Sequence, residues 1–492
     1  MPNVEKEFDN LNVVLCCDLD GTLIKTDLLL ESFFKVMIKF PWKAFYSLKF
    51  LLLGQKAAFK VFLQSKVSID PKQLPYREEV LDFLKEQRAR GRKITLITGS
   101  PKKWALSVAN HLELFDEVFG TEEINLVGKE KSKLLILKYG VNNFDYIGNH
   151  SNDYPVWYSC RQPLMVAPAH TLAHKLVTHF YKPILLNEKN PGLSYIRSVI
   201  MAIRPHQVFK NALLLIPSLA SHRLVNHEVW IKIFLAISAF SLTAWSVYIF
   251  NDVCDIESDR QHKQKRNRPF ASGALSIANG LILIPFFLIL ASSISYFILG
   301  TNFLLVLILY LIMTTLYSIK LKRIVLLDVI MLAILYVIRL IAGQEASGII
   351  CSNWLLAFSI FFFFSLGLLK RYIELIGTAE NNQPVSNRSR DYQISDLPFV
   401  LALGISSGLV SIVILALYIN TSTAQELYKA PEYLFIICGI LFYWINRLWI
   451  KASRQELDHD PVAFALKDKT SLFLLFLSII LTWMSSNIIK DT

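Results

Sequence analysis

The chain has 492 residues, 53% of them hydrophobic, a mean hydropathy of +0.41 and a formal charge of +12. That combination excludes an ordinary soluble globular protein and points to a membrane protein with a soluble part, because the first 190 or so residues alternate amphipathic stretches with charged loops while long apolar runs follow one another from Val208 onward. Six cysteines without paired spacing exclude a disulfide framework and a zinc site and fit a reducing compartment, and no nucleic-acid partner is expected.

In chain order, "MPNVEKEFDNLN" lacks the basic flank and apolar core of a secretory signal, so the first domain is expected in the cytosol. "VVLCCDLDGTLIKTD" then sets an apolar run, readable as a buried parallel strand, directly before Asp18, Asp20, Gly21 and Thr22. Two aspartates spaced by one residue at a strand's C-terminal end divide the labour of phosphoryl transfer: one attacks phosphorus and the other handles the leaving group's proton. The Phe- and Lys-rich stretch from Leu28 to Lys66 reads as a helical cap, or as a surface resting on lipid headgroups. "KITLITGS" is a strand ending in Thr98, "NLVGKEKSKLL" supplies Lys131 with Lys129 and Lys133 as rivals, and "FDYIGNHSNDYPVW" is a strand followed by Asp153.

After a linker over 181–203, nine spans are expected at about 207–223, 229–250, 277–299, 302–318, 326–344, 352–369, 396–419, 431–449 and 471–489. Lys and Arg concentrate after the second, fourth, sixth and eighth, which places those connections, and the N-terminal domain with them, on the cytoplasmic face. The second span runs into "NDVCDIESDRQHKQKRNRP". Asp252, Asp255 and Asp259 fall on one face if the helix continues, and carboxylates so spaced repel one another unless a cation joins them. Mg²⁺ suits them, and Arg260, Lys263, Lys265, Arg266 and Arg268 are placed to grip phosphates. Further on, Asp328 and Arg339 are nearly in phase on one apolar helix, at a depth where ionisable residues are functional or hold the bundle together.

Two resemblances follow. The four N-terminal motifs resemble the haloacid dehalogenase superfamily over about residues 11–170, which implies Asp18 as nucleophile and metal ligand, Asp20 as acid/base, Thr98 and Lys131 as phosphoryl stabilisers and Asp153 as a Mg²⁺ ligand; Asn149 stands where an aspartate is common. The aspartate spacing, "KRNRPFASG" and "YSIKLKR" before Asp328 resemble the UbiA-type intramembrane prenyltransferases over residues 195–490. "RPHQVFKN", "KRYIEL" and "HDPVAFALKD" resemble the branch that makes polyprenylphosphoryl phosphoribose. This implies Asp252, Asp255, Asp259 and Asp328 for metal, Arg266, Lys322 and Arg339 for phosphate, and Lys210, Asn211 and Asn251 in the cavity. No aspartate follows Asp328 by four residues, where relatives carry a paired motif.

The expected architecture is an α/β Rossmann-like phosphohydrolase domain with a helical cap over 1–180 and an all-α membrane domain of nine helices over 204–492. The expected activity is Mg²⁺-dependent transfer between polyprenyl phosphate and phosphoribosyl diphosphate, with removal of the 5-phosphate by the fused domain. Two alternatives stay open: an aromatic or quinone-precursor prenyltransferase, and a lipid-phosphate carrier with a regulatory soluble domain.

Overall fold

The computed structural model describes residues 11–166, 184–186, 195–220, 227–262, 265–380, 391–457 and 461–487. Two compact units emerge, and they are not consecutive in the chain: residues 1–205 join 248–286, and residues 206–247 join 287–492.

The first unit is built on a parallel sheet of β1 (Val14–Cys17), β2 (Ile94–Pro101), β3 (Glu117–Thr121), β4 (Phe144–Gly148), β5 (Gln162–Val166) and β6 (Ile184–Leu186), in the order β3-β2-β1-β4-β5-β6. β1 is central, with Leu15 beside Ile94 on one flank and Asp145 on the other. Its sequence, VLCC, carries no alternation because both faces are covered: Leu15 and Cys17 pack into a core with Leu19, Leu84, Ile94 and Leu164, and Cys16 into a second core with Ile97, Leu135, Phe144 and Trp157. Between β1 and β2 stand α1 (Leu28–Lys39), α2 (Pro41–Leu52), α3 (Lys56–Lys66) and α4 (Glu78–Ala89). Asp27 caps α1 by accepting from the Leu29 and Leu30 amides, and Pro41 opens α2 where its missing N–H costs nothing. α5 (Lys102–Leu112) and α6 (Lys129–Tyr139) complete the crossovers. A helix over Tyr195–Ile203, α7, leads out of this part.

The remaining long elements are α8 (His227–Cys254), the short α9 (Ile256–Gln261), α10 (Ile277–Ile294), α11 (Thr301–Ile319), α12 (Leu327–Ser347), α13 (Asn353–Glu380), α14 (Leu397–Ile419), α15 (Glu432–Ser453) and α16 (Lys469–Asn487). Among the described residues eight helices are long and apolar enough to cross a membrane, so the protein is a multi-pass integral membrane protein with an α/β domain. The segment expected as the first span, 207–223, is not one continuous helix: Pro205–Leu215 is a 3₁₀ stretch and Ile216–Ala220 a single short helix, with 221–226 outside the described residues. Lys210, Asn211 and Pro217 interrupt the apolar run, and Arg204 turns into it with φ of 51°. Within the second unit, small residues let helices approach closely. A Cβ on Gly404 of α14 would overlap the Trp449 ring of α15, and one on Gly343 of α12 would overlap the Leu214 carbonyl.

Candidate active sites

The α/β part brings the candidate residues together at the C-terminal edges of β1, β2 and β4, three neighbours in a parallel sheet, which is where such sheets hold their sites. Asp18 follows β1 directly, Thr98 lies near the end of β2, and Asp153 sits in the turn after β4. Lys131 arrives from the first turns of α6, its Nζ 3.0 Å from Asp18 Oδ1 and 3.5 Å from Asp153 Oδ1. The rivals stand elsewhere: Lys133 is exposed and pairs with Glu130 at 2.7 Å, and Lys129 makes neither of these contacts. Asp20 Oδ1 accepts from the Leu28 amide at 3.0 Å and its Oδ2 from the Thr98 hydroxyl at 3.2 Å.

Sequence reasoning missed Tyr146. From within β4 its hydroxyl accepts from Lys131 Nζ at 2.9 Å and donates to Asp153 Oδ1 at 2.7 Å, so it fixes the ammonium and the carboxylate relative to each other. The strand alternation marks Tyr146 only as another buried residue. Asn149 turns out to be tied to the first motif, accepting from Thr22 Oγ1 at 3.2 Å, while its amide donates to Asp153 Oδ2 at 3.2 Å. Gly21 allows that approach: its φ is 72°, and a Cβ there would strike the Asn149 amide.

Burial drives the electrostatics. It lifts Asp18 to about 7, with Lys131 opposing and Asp153 and Asp20 reinforcing the rise. It lifts Asp20 to about 6, reinforced by Asp27 and opposed by hydrogen bonds from Ser100, Leu28 and Thr98. Burial alone would lower Lys131, but the Asp18 and Asp153 carboxylates reverse that and hold the ammonium above its ordinary value. A carboxyl poised near neutrality beside a firmly charged lysine suits a nucleophile, and one near 6 suits an acid/base.

The aspartate-rich segment lies in the same compact unit. α8 passes into α9 with only a local break at Asp255, since the Asp255 amide still donates to the Asn251 carbonyl at 2.8 Å and the Asp259 amide to the Asp255 carbonyl at 2.8 Å. Arg268 Nη1 donates to Asp252 Oδ1 at 3.2 Å and to Asp259 Oδ2 at 2.8 Å, and Arg204 donates to the same Asp252 oxygen. Burial raises the Asp259 carboxyl, against the pull of Arg268. Arg260 departs from the expected phosphate grip. Its guanidinium donates to both Glu31 carboxylate oxygens, at 3.0 and 2.6 Å, and to the Ala271 carbonyl at 2.8 Å. Lys265 and Arg266 are exposed, and Lys263 lies outside the described residues.

In the second unit the structure brings Arg339 and Asn211 together and separates both from Asp328. Arg339 Nε donates to Asn211 Oδ1 at 3.1 Å and Nη2 to the Tyr310 hydroxyl at 3.2 Å, and the guanidinium lies within 5.1–5.5 Å of the Phe240, Tyr310 and Tyr336 ring centres. Asp328 is buried against Arg371 Nε at 2.8 Å and accepts from the Tyr392 hydroxyl at 2.8 Å. Arg371 belongs to the "KRYIEL" stretch already singled out, but nothing in the sequence tells it from its neighbour Lys370. Lys210 and Lys322 are half-buried.

Among the described residues no three His, Cys, Asp or Glu side chains close into a metal cage. The donor chemistry nevertheless fits Mg²⁺, which takes one or two carboxylates and completes its shell with water and substrate phosphate. Asp252 Oδ2 and Asn251 Oδ1 are buried oxygens with no hydrogen-bond partner among the described residues, a costly state that an oxygen-seeking cation relieves. At the other site the Asp18 and Asp153 carboxylates meet the buried Lys131 ammonium, and Asp20 lies beside them on the same loop as Asp18.

A model of the UbiA prenyltransferase family matches residues 214–480, and one of the haloacid dehalogenase-like hydrolases matches residues 15–156. The protein y4nM of Sinorhizobium fredii is 33% identical over 464 residues, 94% of this chain and 88% of that protein. Nodulation protein NoeC of Azorhizobium caulinodans is 31% identical over 277 residues, 55% of this chain and 87% of its own. Decaprenyl-phosphate phosphoribosyltransferase of Mycobacterium tuberculosis is 33% identical over 219 residues, 43% of this chain and 72% of its own. The chain belongs to the UbiA prenyltransferase family and carries an N-terminal haloacid dehalogenase-like hydrolase domain.

Proposed function

We propose that this membrane transferase joins phosphoribosyl diphosphate to a polyprenyl phosphate and that its α/β domain then removes the 5-phosphate of the lipid product. The observation that carries the reading is the presence, in one compact unit, of the cluster formed by Asp18, Asp20, Thr98, Lys131 and Asp153 and of the aspartate-rich segment Asp252–Asp259. The similarity to decaprenyl-phosphate phosphoribosyltransferases supports the choice of sugar donor.

In the first step a polyprenyl phosphate oxygen attacks C1 of the ribosyl group as the C1–O bond to diphosphate breaks. Bound Mg²⁺ supplies charge neutralisation for the departing diphosphate. Asp252, Asp255 and Asp259 would hold it, and Arg268 and Arg204 keep Asp252 in place. Arg266, Lys210, Lys322 and Arg339 are the cations and Asn211 and Asn251 the amides assigned to substrate; Asp328, already engaged by Arg371 and Tyr392, is the least available of the assigned metal ligands. In the second step an ionised Asp18 oxygen attacks phosphorus as the P–O bond to ribose breaks and Asp20 gives its proton to the ribose oxygen; water, giving a proton to Asp20, then attacks the same phosphorus, the Asp18 O–P bond breaks, and inorganic phosphate leaves. Thr98 and Lys131 hold the phosphoryl oxygens, and Asp153 serves as a further Mg²⁺ ligand.

The α/β domain and the basic segment 260–268 are assigned to the cytoplasmic face. The Glu31–Arg260 contact supports a shared side, since it joins α1 to the end of the first long apolar helix. A chain arranged so must cross the bilayer once more between residues 205 and 227, a task that falls to the broken segment starting at Pro205.

The test is to incubate purified protein in lipid with phosphoribosyl diphosphate, polyprenyl phosphate and Mg²⁺ and to identify the product by mass. A polyprenylphosphoryl ribose without the 5-phosphate is expected. No adduct with either substrate would end the reading.

A further inference from the structure

α2 inverts the usual pattern of a helix on a soluble domain. Its buried positions are the small residues Ala44 and Ser47, and Phe50 packs inward against the core, while three of its large apolar side chains face outward: Trp42 is 85% exposed, Phe45 66%, and Leu52, on its last turn, 88%. An amphipathic helix normally buries such residues, and contiguous exposed apolar surface marks a site of contact. The surrounding charge is one-sided. From Ser32 to Ile69 the sequence has seven lysines and no aspartate, glutamate or arginine. Lys39, Lys43, Lys49 and Lys56, all exposed, flank the apolar face. Aromatic and leucine side chains rimmed by lysines and free of acids suit the interfacial layer of an anionic bilayer, where rings sit at headgroup depth and basic side chains meet lipid phosphate.

A second observation fixes what lies within reach. α1, the helix leading into α2, is held to α9 by Glu31–Arg260 and by Lys35 Nζ with Glu257 at 2.7 Å, and α9 begins two residues after α8, one of the membrane-crossing helices. The cap is thereby tethered at the edge of a membrane helix.

We propose that α2 and the turn after it rest on the headgroup layer of the bilayer, with Trp42, Phe45 and Leu52 at the acyl boundary and Lys43, Lys49 and Lys56 on anionic phospholipid. The cap of the hydrolase domain is then a peripheral membrane element, so its site is presented to substrates held in the leaflet.

The full-length protein tests this in vesicles, on a background of Cys254→Ser and Cys438→Ser, with Leu52→Cys carrying an environment-sensitive fluorophore. Leu137→Cys on α6, where the native residue is 86% exposed and outside the patch, serves as control. In phosphatidylcholine containing phosphatidylglycerol, the label at 52 is expected to shift to shorter wavelength, to be quenched by doxyl groups on the lipid and to lose its accessibility to aqueous iodide, whereas the label at 137 stays iodide-accessible. Lys43→Glu with Lys49→Glu and Lys56→Glu should return the label at 52 to water, with folding checked by thermal unfolding in detergent. Iodide accessibility at 52 equal to that at 137 overturns the proposal. So does burial that is the same without phosphatidylglycerol, and so does shielding that tracks protein density and escapes the lipid quencher, which would mark a second copy of the chain.

Discussion

At Asp18 one atom decides between two outcomes. Asp18→Asn keeps the side chain's shape and its contacts with the Leu19 amide and Lys131 but removes the ionised nucleophile. Phosphate release should fall by roughly a thousandfold or more, the scale of losing a covalent nucleophile, while lipid transfer continues. Mass analysis of the lipid would then find the 5-phosphorylated product accumulating; identical lipids from native and variant protein would separate the hydrolase domain from the pathway. The same carboxyl sets a pH limb. Burial places it near 7, and only its ionised form attacks, so phosphate release should decline as pH falls through that region. A divalent cation beside the carboxylate favours the ionised form, so raising Mg²⁺ should move the midpoint of the acid limb to lower pH. Profiles of rate against pH at two Mg²⁺ concentrations check the sign; a midpoint that stays fixed or moves up would show that Asp18 does not face the metal.

Among the elements, the parallel sheet and its motif-bearing strand ends were legible because buried parallel strands are continuous apolar runs, as in VLCC and ITLIT, and a polar residue at the end of each run marks the candidate site. Lys131 could not be separated from Lys129 and Lys133, since the choice depends on which turn of α6 faces β1, a property of packing. Likewise Glu31 as the partner of Arg260, Arg371 as the partner of Asp328 and Tyr146 between Lys131 and Asp153 join residues remote in sequence or hidden in a strand. Over 207–223 the apolar content was legible but the break in the helix was not, because apolar content alone does not report the 3₁₀ stretch Pro205–Leu215 that precedes the short helix Ile216–Ala220. Helix contacts in the second unit carry a prediction of their own. Gly404→Val would force α14 away from Trp449 and should cost about 1–3 kcal/mol, the usual penalty of overpacking. Gly439→Ala, on α15 with open space around it, should leave stability unchanged or raise it. Thermal unfolding of both variants in detergent compares them directly, and equal midpoints would deny the close approach.

For the whole molecule, sidedness is the first question. An impermeant thiol reagent applied to intact cells should fail to label His150→Cys in the hydrolase site loop and should label it after the membrane is opened. Labelling from outside would place the domain on the other face and would dissociate it from any cytoplasmic sugar phosphate.

The contact between α1 and α9 bears on how matter moves through the protein. Glu31 with Arg260, Lys35 with Glu257, and Gln73 with Gln261 hold the cap against α9, the short helix that carries Asp259, in addition to the covalent chain. Under the proposed sequence, the intermediate is a lipid that never leaves its leaflet, so its search for the second site is planar and begins next to it. Tethered encounters of this kind proceed at effective concentrations on the order of millimolar, however few protein copies a membrane contains. Diluting the protein in lipid would therefore slow the total flux in proportion to copy number without letting the phosphorylated intermediate build up.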